Sequence, residues 1–272
     1  MKHKQYGFAL FEVLALVIVI GLVGAAGFFV ITKDKETITS KDTTELTSNS
    51  QDVTKKSDVK EVKIKHLGVE LGQYDPVTNK AGDFVFTKAK FAAGEKMQML
   101  FMDYGFVIPA ENRANGKSQG NPQPTFILPL GTKVHSLVDG IVFETPKLYS
   151  GDYSVQVQGE GGELVFETEH VINLKVKKGD KVKAGDVVAE VSDYSVNGYA
   201  GFGLVEIGVL KGGNPPYHLC PFDYLDDSIK ETTLKNITAL QKSWEEYRGD
   251  SSIYDESKVL IPGCVSRSPI EG

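Results

Sequence analysis

Residues 131–142 and 179–188 carry one pattern twice. The first copy is Gly131-Thr132-Lys133-Val134 followed by Asp139-Gly140-Ile141-Val142. The second is Gly179-Asp180-Lys181-Val182 followed by Gly185-Asp186-Val187-Val188. In each, Gly and Asp make a tight turn, a valine anchors the core and a second glycine opens a new strand. The same pair of turns used twice predicts a quasi-symmetric β-sandwich.

The flanking sequence agrees. Short runs at Ile127–Leu130, Lys133–Leu137, Gly140–Glu144, Ser154–Gln158, Leu164–Thr168, Val187–Val191 and Leu204–Leu210 read as strands, and Gly, at 28 of 272 residues, supplies the turns between them. Upstream, Val62–Lys65 and Asp83–Phe86 alternate, Leu100–Ile108 is apolar and aromatic, and Arg113–Pro124 reads as a polar loop. The expected fold class is mostly β: a barrel-sandwich hybrid, or duplicated hybrid motif. An N-terminal transmembrane helix and a C-terminal amphipathic helix flank it. Biotinyl and lipoyl carriers share that logic but need a modifiable lysine at a hairpin, typically beside Met, and no Met-Lys pair occurs in the β-rich body.

The N-terminus is of another kind. Phe8–Ile31 is apolar except for Glu12 and, at ~1.5 Å per residue, makes a helix of about 36 Å, enough for a ~30 Å hydrocarbon core. Lys2 and Lys4 precede it, so the positive-inside rule keeps the N-terminus cytoplasmic and exports the rest. The expectation is a single-pass cell-membrane protein with an extracytoplasmic body. Residues 32–60 are rich in Thr, Ser, Asp and Lys and read as a flexible polar linker. The formal net charge of −6 gives no basic excess of the kind a nucleic-acid partner requires.

Gly7-Phe8-Ala9-Leu10-Phe11-Glu12 resembles the N-terminus of type IV prepilins: a short basic leader (1–7) ending in Gly, then Phe, then Glu at the fifth mature position. That resemblance implies cleavage between Gly7 and Phe8. A carboxylate inside lipid costs several kcal/mol and so calls for a reason; in prepilins, the resemblance implies, the Glu pairs with a neighbouring subunit's N-terminal amine.

The body resembles lysostaphin-type zinc endopeptidases over residues 125–225. The matching pieces are Pro129–Val142, His170-Val-Ile-Asn-Leu-Lys-Val-Lys-Lys-Gly179, Val182–Val191 and the closing Pro221-Phe-Asp-Tyr-Leu225. Residues 61–124 form a β-rich N-terminal part and 226–272 a C-terminal helix and tail. The resemblance implies zinc held by a His, an Asp four residues later and the second His of a His-x-His. Here those positions fall on Asn121, Thr125 and, with Glu206 aligned on the family Glu, Leu204 preceded by Phe202; a shift of two puts Glu206 at the ligand position. Catalytic zinc needs three protein ligands and an open position, and neither register supplies three. His170 keeps the place of the family His that assists the attacking water, and is the catalytic candidate. Glu206 and His135 are the candidates for a rearranged metal set. The expected cofactor is none, or zinc if the protein is an enzyme.

Cys220 and Cys264 both lie in the exported part and predict one disulfide. Between them Ile229, Leu234, Ile237, Leu240, Trp244 and Tyr247 recur at three-to-five spacing, an amphipathic helix over 229–248 with Asp226, Asp227 and Ser228 capping its start and Gly249 its end. The function these features imply is a membrane-anchored, non-catalytic lysostaphin-like domain that binds peptidoglycan or regulates a cell-wall hydrolase. The alternatives are an active zinc peptidoglycan endopeptidase with atypical ligands and a minor type IV pilin-like surface component.

Overall fold

The computed structural model describes residues 61–89, 98–112, 116–193 and 201–272. All fall within one of two compact units of the chain, 56–272. The leader (Gly7), the apolar run with Phe8 and Glu12, and the whole of the linker 32–60 lie outside the described residues. Among those described, no helix is long and apolar enough to cross a membrane.

The body is mostly antiparallel β. Strand β1 (Lys80–Ala81) folds back on β2 (Phe84–Val85), and β3 (Phe101–Met102) joins a large sheet further on. β4 (Val107–Ile108) pairs with β5 (Gln119–Gly120), so part of the segment read as a polar loop is a short strand. Asn121 and Gln123 just after it are buried, held down by the pairing that precedes them and by β6 (Thr125–Pro129) that follows. Then come β7 (Lys133–His135), β8 (Gly140–Glu144), β9 (Tyr153–Gln158), β10 (Val165–Ile172), β11 (Lys181–Val182), β12 (Val187–Val191), β13 (Phe202–Lys211), β14 (Tyr217–Leu219) and, near the C-terminus, β15 (Ile270–Glu271). The main sheet runs β11-β8-β9-β10-β13-β14-β15, with β6 on β13 and β12 linking β10 to β7.

The duplicated pattern has a structural counterpart. Its two copies pair crosswise: β7 of the first with β12 of the second, and β8 of the first with β11 of the second. Each turn of the second copy is closed by an aspartate accepting from a backbone N–H three residues earlier, Lys177 to Asp180 (3.0 Å) and Lys183 to Asp186 (2.8 Å). The glycines before those aspartates, Gly179 (φ 90°) and Gly185 (φ 88°), sit in the left-handed region that a Cβ disfavours. Valines 134, 142, 182 and 188 enter the core, as the pattern requires.

Helix α1 (Asp227–Arg248) forms where the apolar spacing places it. Asp226 caps it, its carboxylate accepting from Ser228 N, and Gly249 ends it at φ 73°. Ile237, Leu240 and Trp244 are buried, and the Trp244 indole N–H donates to Gln98 O at 2.7 Å. Gln241, on the same face, donates to both oxygens of buried Asp103 at 3.1 and 3.0 Å. The Cys220–Cys264 disulfide is formed, tying the tail to the end of β14 with Cα atoms 6.2 Å apart.

Candidate functional site

One cleft of about 870 Å³ opens on the face of β10 and β13 that turns away from the apolar core. Strand alternation puts Phe166 of β10 inside and Glu167 and Glu169 on the cleft side. Strict alternation would then return His170 to the core face. Instead His170 takes φ 58°, a left-handed conformation rare outside glycine, and the register against β9 shifts between Thr168 and Val171. This bulge turns the His170 ring into the same cleft as the two glutamates and sends Val171 back to the core.

His170 is held from both sides. Its Nδ1 lies 3.0 Å from Asp152 Oδ2 and its Nε2 3.9 Å from Glu206 Oε2. Burial works to raise the Asp152 carboxyl, but hydrogen bonds with Ser150 and Ser192 and the neighbouring His170 ring outweigh it and hold it below the usual range. Glu206, on β13, lies directly across from Thr125 on β6 and from Glu169 on β10. Thr125 Oγ1 donates to Glu206 Oε1 at 2.9 Å, and Asn121 Nδ2 donates to Thr125 Oγ1 at 3.2 Å.

The three glutamates are crowded. Burial pushes Glu206 up to about 7; His170 pulls it down, while Glu169 adds to the rise. Burial, and then the charge of Glu167, also raises Glu169. Glu167 is raised by burial although Gln156 and Gln123 donate to its two oxygens at 2.9 and 3.0 Å. Further along the cleft, burial drives His218 down to about 4 and leaves its ring neutral.

The sequence candidates separate in space. His170 and Glu206 come together. His135 lies outside the cleft, with Nδ1 2.8 Å from Gly185 O and its ring 4.8 Å from that of His66. Phe202 and Leu204 pair with Pro129 and Ile127, so the β13 side chain bonded to Thr125 is Glu206. Asp152, Glu167, Glu169 and His218 were missed. Glu167-Thr-Glu169-His170 was readable as two carboxylates on one strand face; Asp152 and His218 carried no local signal.

This donor set does not fit zinc. The Asn121 amide nitrogen spends its hydrogens on Thr125 Oγ1 and on the carbonyls of Gln123 and Asp103, and an amide nitrogen has no lone pair to give a metal. The Thr125 hydroxyl is directed onto Glu206. Of the positions that the resemblance assigns, that leaves the Glu206 carboxylate and the His170 imidazole, where catalytic zinc takes three ligands. Among the described residues, no group of three or more His, Cys, Asp or Glu side chains is disposed to hold a metal.

No protein-family model matches the sequence, and no curated relative matches it. Among solved structures, the chain is similar to the catalytic domain of the antimicrobial peptidase lysostaphin from Staphylococcus simulans. The two are 19% identical over 50% of this chain and 98% of that one, with a TM-score of 0.38. The catalytic domain of the prophage-encoded M23 protein EnpA from Enterococcus faecalis is 25% identical over 44% of this chain and 85% of that one, with a TM-score of 0.35. A chain of the SpoIIQ–SpoIIIAH pore-forming complex is 15% identical over 63% of this chain and 96% of that one, with a TM-score of 0.36.

Proposed function

We propose that this chain is a single-pass, membrane-anchored protein whose extracytoplasmic body is a lysostaphin-like barrel-sandwich hybrid without a zinc centre. Its cleft binds cell-wall peptide or docks a cell-wall hydrolase. One observation carries the reading: the hydrogen-bonded series Asn121–Thr125–Glu206 stands where the sequence resemblance places zinc ligands. With those atoms committed to one another, nothing there acidifies a water or polarises a peptide carbonyl. The crosswise pairing of the two repeat copies supports the hybrid fold, because a duplicated motif of this kind closes by exchanging strands between its halves.

Two measurements test it. Elemental analysis of the purified chain is expected to give no stoichiometric zinc, with no chelator-sensitive release of muropeptides. Incubation with intact peptidoglycan is expected to retain the chain in the pellet. One equivalent of zinc together with hydrolysis that His170→Ala abolishes would instead establish the enzyme. For the anchor, protease added to intact cells is expected to remove epitopes beyond Lys60. An intact mass beginning at Phe8 would add prepilin-type processing; a Met1 start would leave the run Phe8–Ile31 as an anchor only.

A further inference from the structure

The cleft combines three carboxyl groups with buried polar atoms that have no partner. Glu167, Glu169 and Glu206 reach it from the paired strands β10 and β13, and among the described residues that line it there is no lysine or arginine to balance them. Ser154 and His218, 1% and 5% exposed, line the same cleft, and Ser154 Oγ and His218 Nδ1 have no hydrogen-bond partner. A buried hydroxyl and a buried imidazole nitrogen left unpaired lose the hydrogen bonds they made with water and gain none in return. In native proteins such groups are few, and each calls for an explanation.

We propose that the cleft receives a primary ammonium group carried on an alkyl stem, such as the side-chain amine of a lysine-like residue in a peptide. An ammonium brings three N–H donors and one positive charge, and no acceptor. One end of the cleft offers the complement: the carboxyl oxygens of Glu169 and Glu206, which a bound ammonium would hold ionised, and the Ser154 hydroxyl oxygen; His218, across from Leu210 and so four residues further along β13 than Glu206, lies beyond reach of the same amine. Leu204 and Leu210 of β13 supply apolar wall for the methylenes that precede the amine. A carboxylate or phosphate ligand would meet like charge from the glutamates and is disfavoured. A divalent metal would need three ligands already disposed around one point, which the described residues lack. This inference deepens the cell-wall-peptide reading by naming the group that is recognised.

The test uses the purified full-length chain and two probes, acetyl-Ala-Lys-Ala-amide and the same peptide acetylated on the lysine Nε, titrated calorimetrically or by NMR shift. The free amine is expected to bind at least about tenfold more tightly than the acetylated form, each tenfold being about 1.4 kcal/mol. The double variant Glu169→Gln/Glu206→Gln, in which the amides mimic the protonated acids, is expected to bind both peptides equally. Equal binding of the two peptides by the native chain overturns the proposal without any variant. If neither peptide binds while the chain is retained on peptidoglycan, the ammonium proposal falls and the cell-wall reading stands. If the amine binds and peptidoglycan does not, the cell-wall reading falls and the ammonium site stands.

Discussion

The seat of helix α1 and the β10–β13 cleft both bury polar groups, and they treat them in opposite ways. Under the helix each polar group is matched. The Trp244 indole finds Gln98 O, Gln241 holds both Asp103 oxygens, Asn236 donates to Leu71 O, and Glu245 accepts from Tyr254 N. In the cleft three carboxylates crowd one another, His170 sits at a left-handed φ, and Ser154 and His218 keep unpaired atoms. A matched set contributes to stability, while a mismatched one lowers it and is retained where something outside the chain completes it. The contrast is what the proposed ligand site rests on: a well-matched seat for the helix beside a cleft whose polar groups are left incomplete.

The largest expected effects lie at the helix seat. Trp244→Ala removes a fully buried side chain and is expected to cost about 3–5 kcal/mol in a denaturant titration. A loss under 1 kcal/mol would mean that the helix is not part of the core. Opening the Cys220–Cys264 bridge, which spans 44 residues, is expected to cost about 4 kcal/mol in the loop-entropy account, read as the shift of the transition with and without reductant. Gln241→Ala leaves the Asp103 carboxyl, already raised to about 6 by burial, without its side-chain donor and is expected to cost about 1–3 kcal/mol.

The cleft is expected to respond to pH. Glu206 ordinarily titrates near 4.5 and sits at about 7 when folded. A carboxyl raised in this way favours the fold at low pH, and that contribution is lost as pH rises through the folded value. Asp103, at about 6, is mostly titrated by about pH 7. His218, lowered to about 4, contributes fully above its ordinary 6.5 and loses its contribution only on acidification. Between pH 7 and 8.5 the fall in melting temperature therefore reports chiefly the raised cleft glutamates, Glu206, Glu169 and Glu167, and Glu169→Gln/Glu206→Gln is expected to reduce it. A slope unchanged in that variant would place the titration elsewhere. The smallest effect belongs to Ser154→Ala: removing an unpaired hydroxyl is expected to leave stability within about 0.5 kcal/mol or raise it. A loss as large as that of Gln241→Ala would erase the distinction between the two regions.

Where a feature is local, the sequence was enough. The strands at Gly140–Glu144 and Val187–Val191 were read to the residue, because alternation and the turn glycines are properties of neighbouring positions. Helix α1 began two residues before its apolar spacing indicated, at Asp227, since the capping aspartate starts the turn ahead of the first apolar contact. The disulfide joins the chain's two cysteines, the pairing that the sequence predicts. The strand β10 was read to Thr168 and runs to Ile172, because a bulge breaks the alternation on which the reading relied.

The sequence by itself determined the mostly β body, the duplicated turns and the helix, all of which rest on residue type and near spacing. Only the tertiary structure decided which side chains meet in the cleft. Asp152 reaches His170 across 18 residues, Thr125 reaches Glu206 across 81, and Gln123 reaches Glu167 across 44. Those separations are set by which strands lie side by side and in which register. A one-residue slip of β13 against β6 would turn Glu206 away from the cleft, so the pairing of the strands, more than the presence of an acidic residue, makes the site.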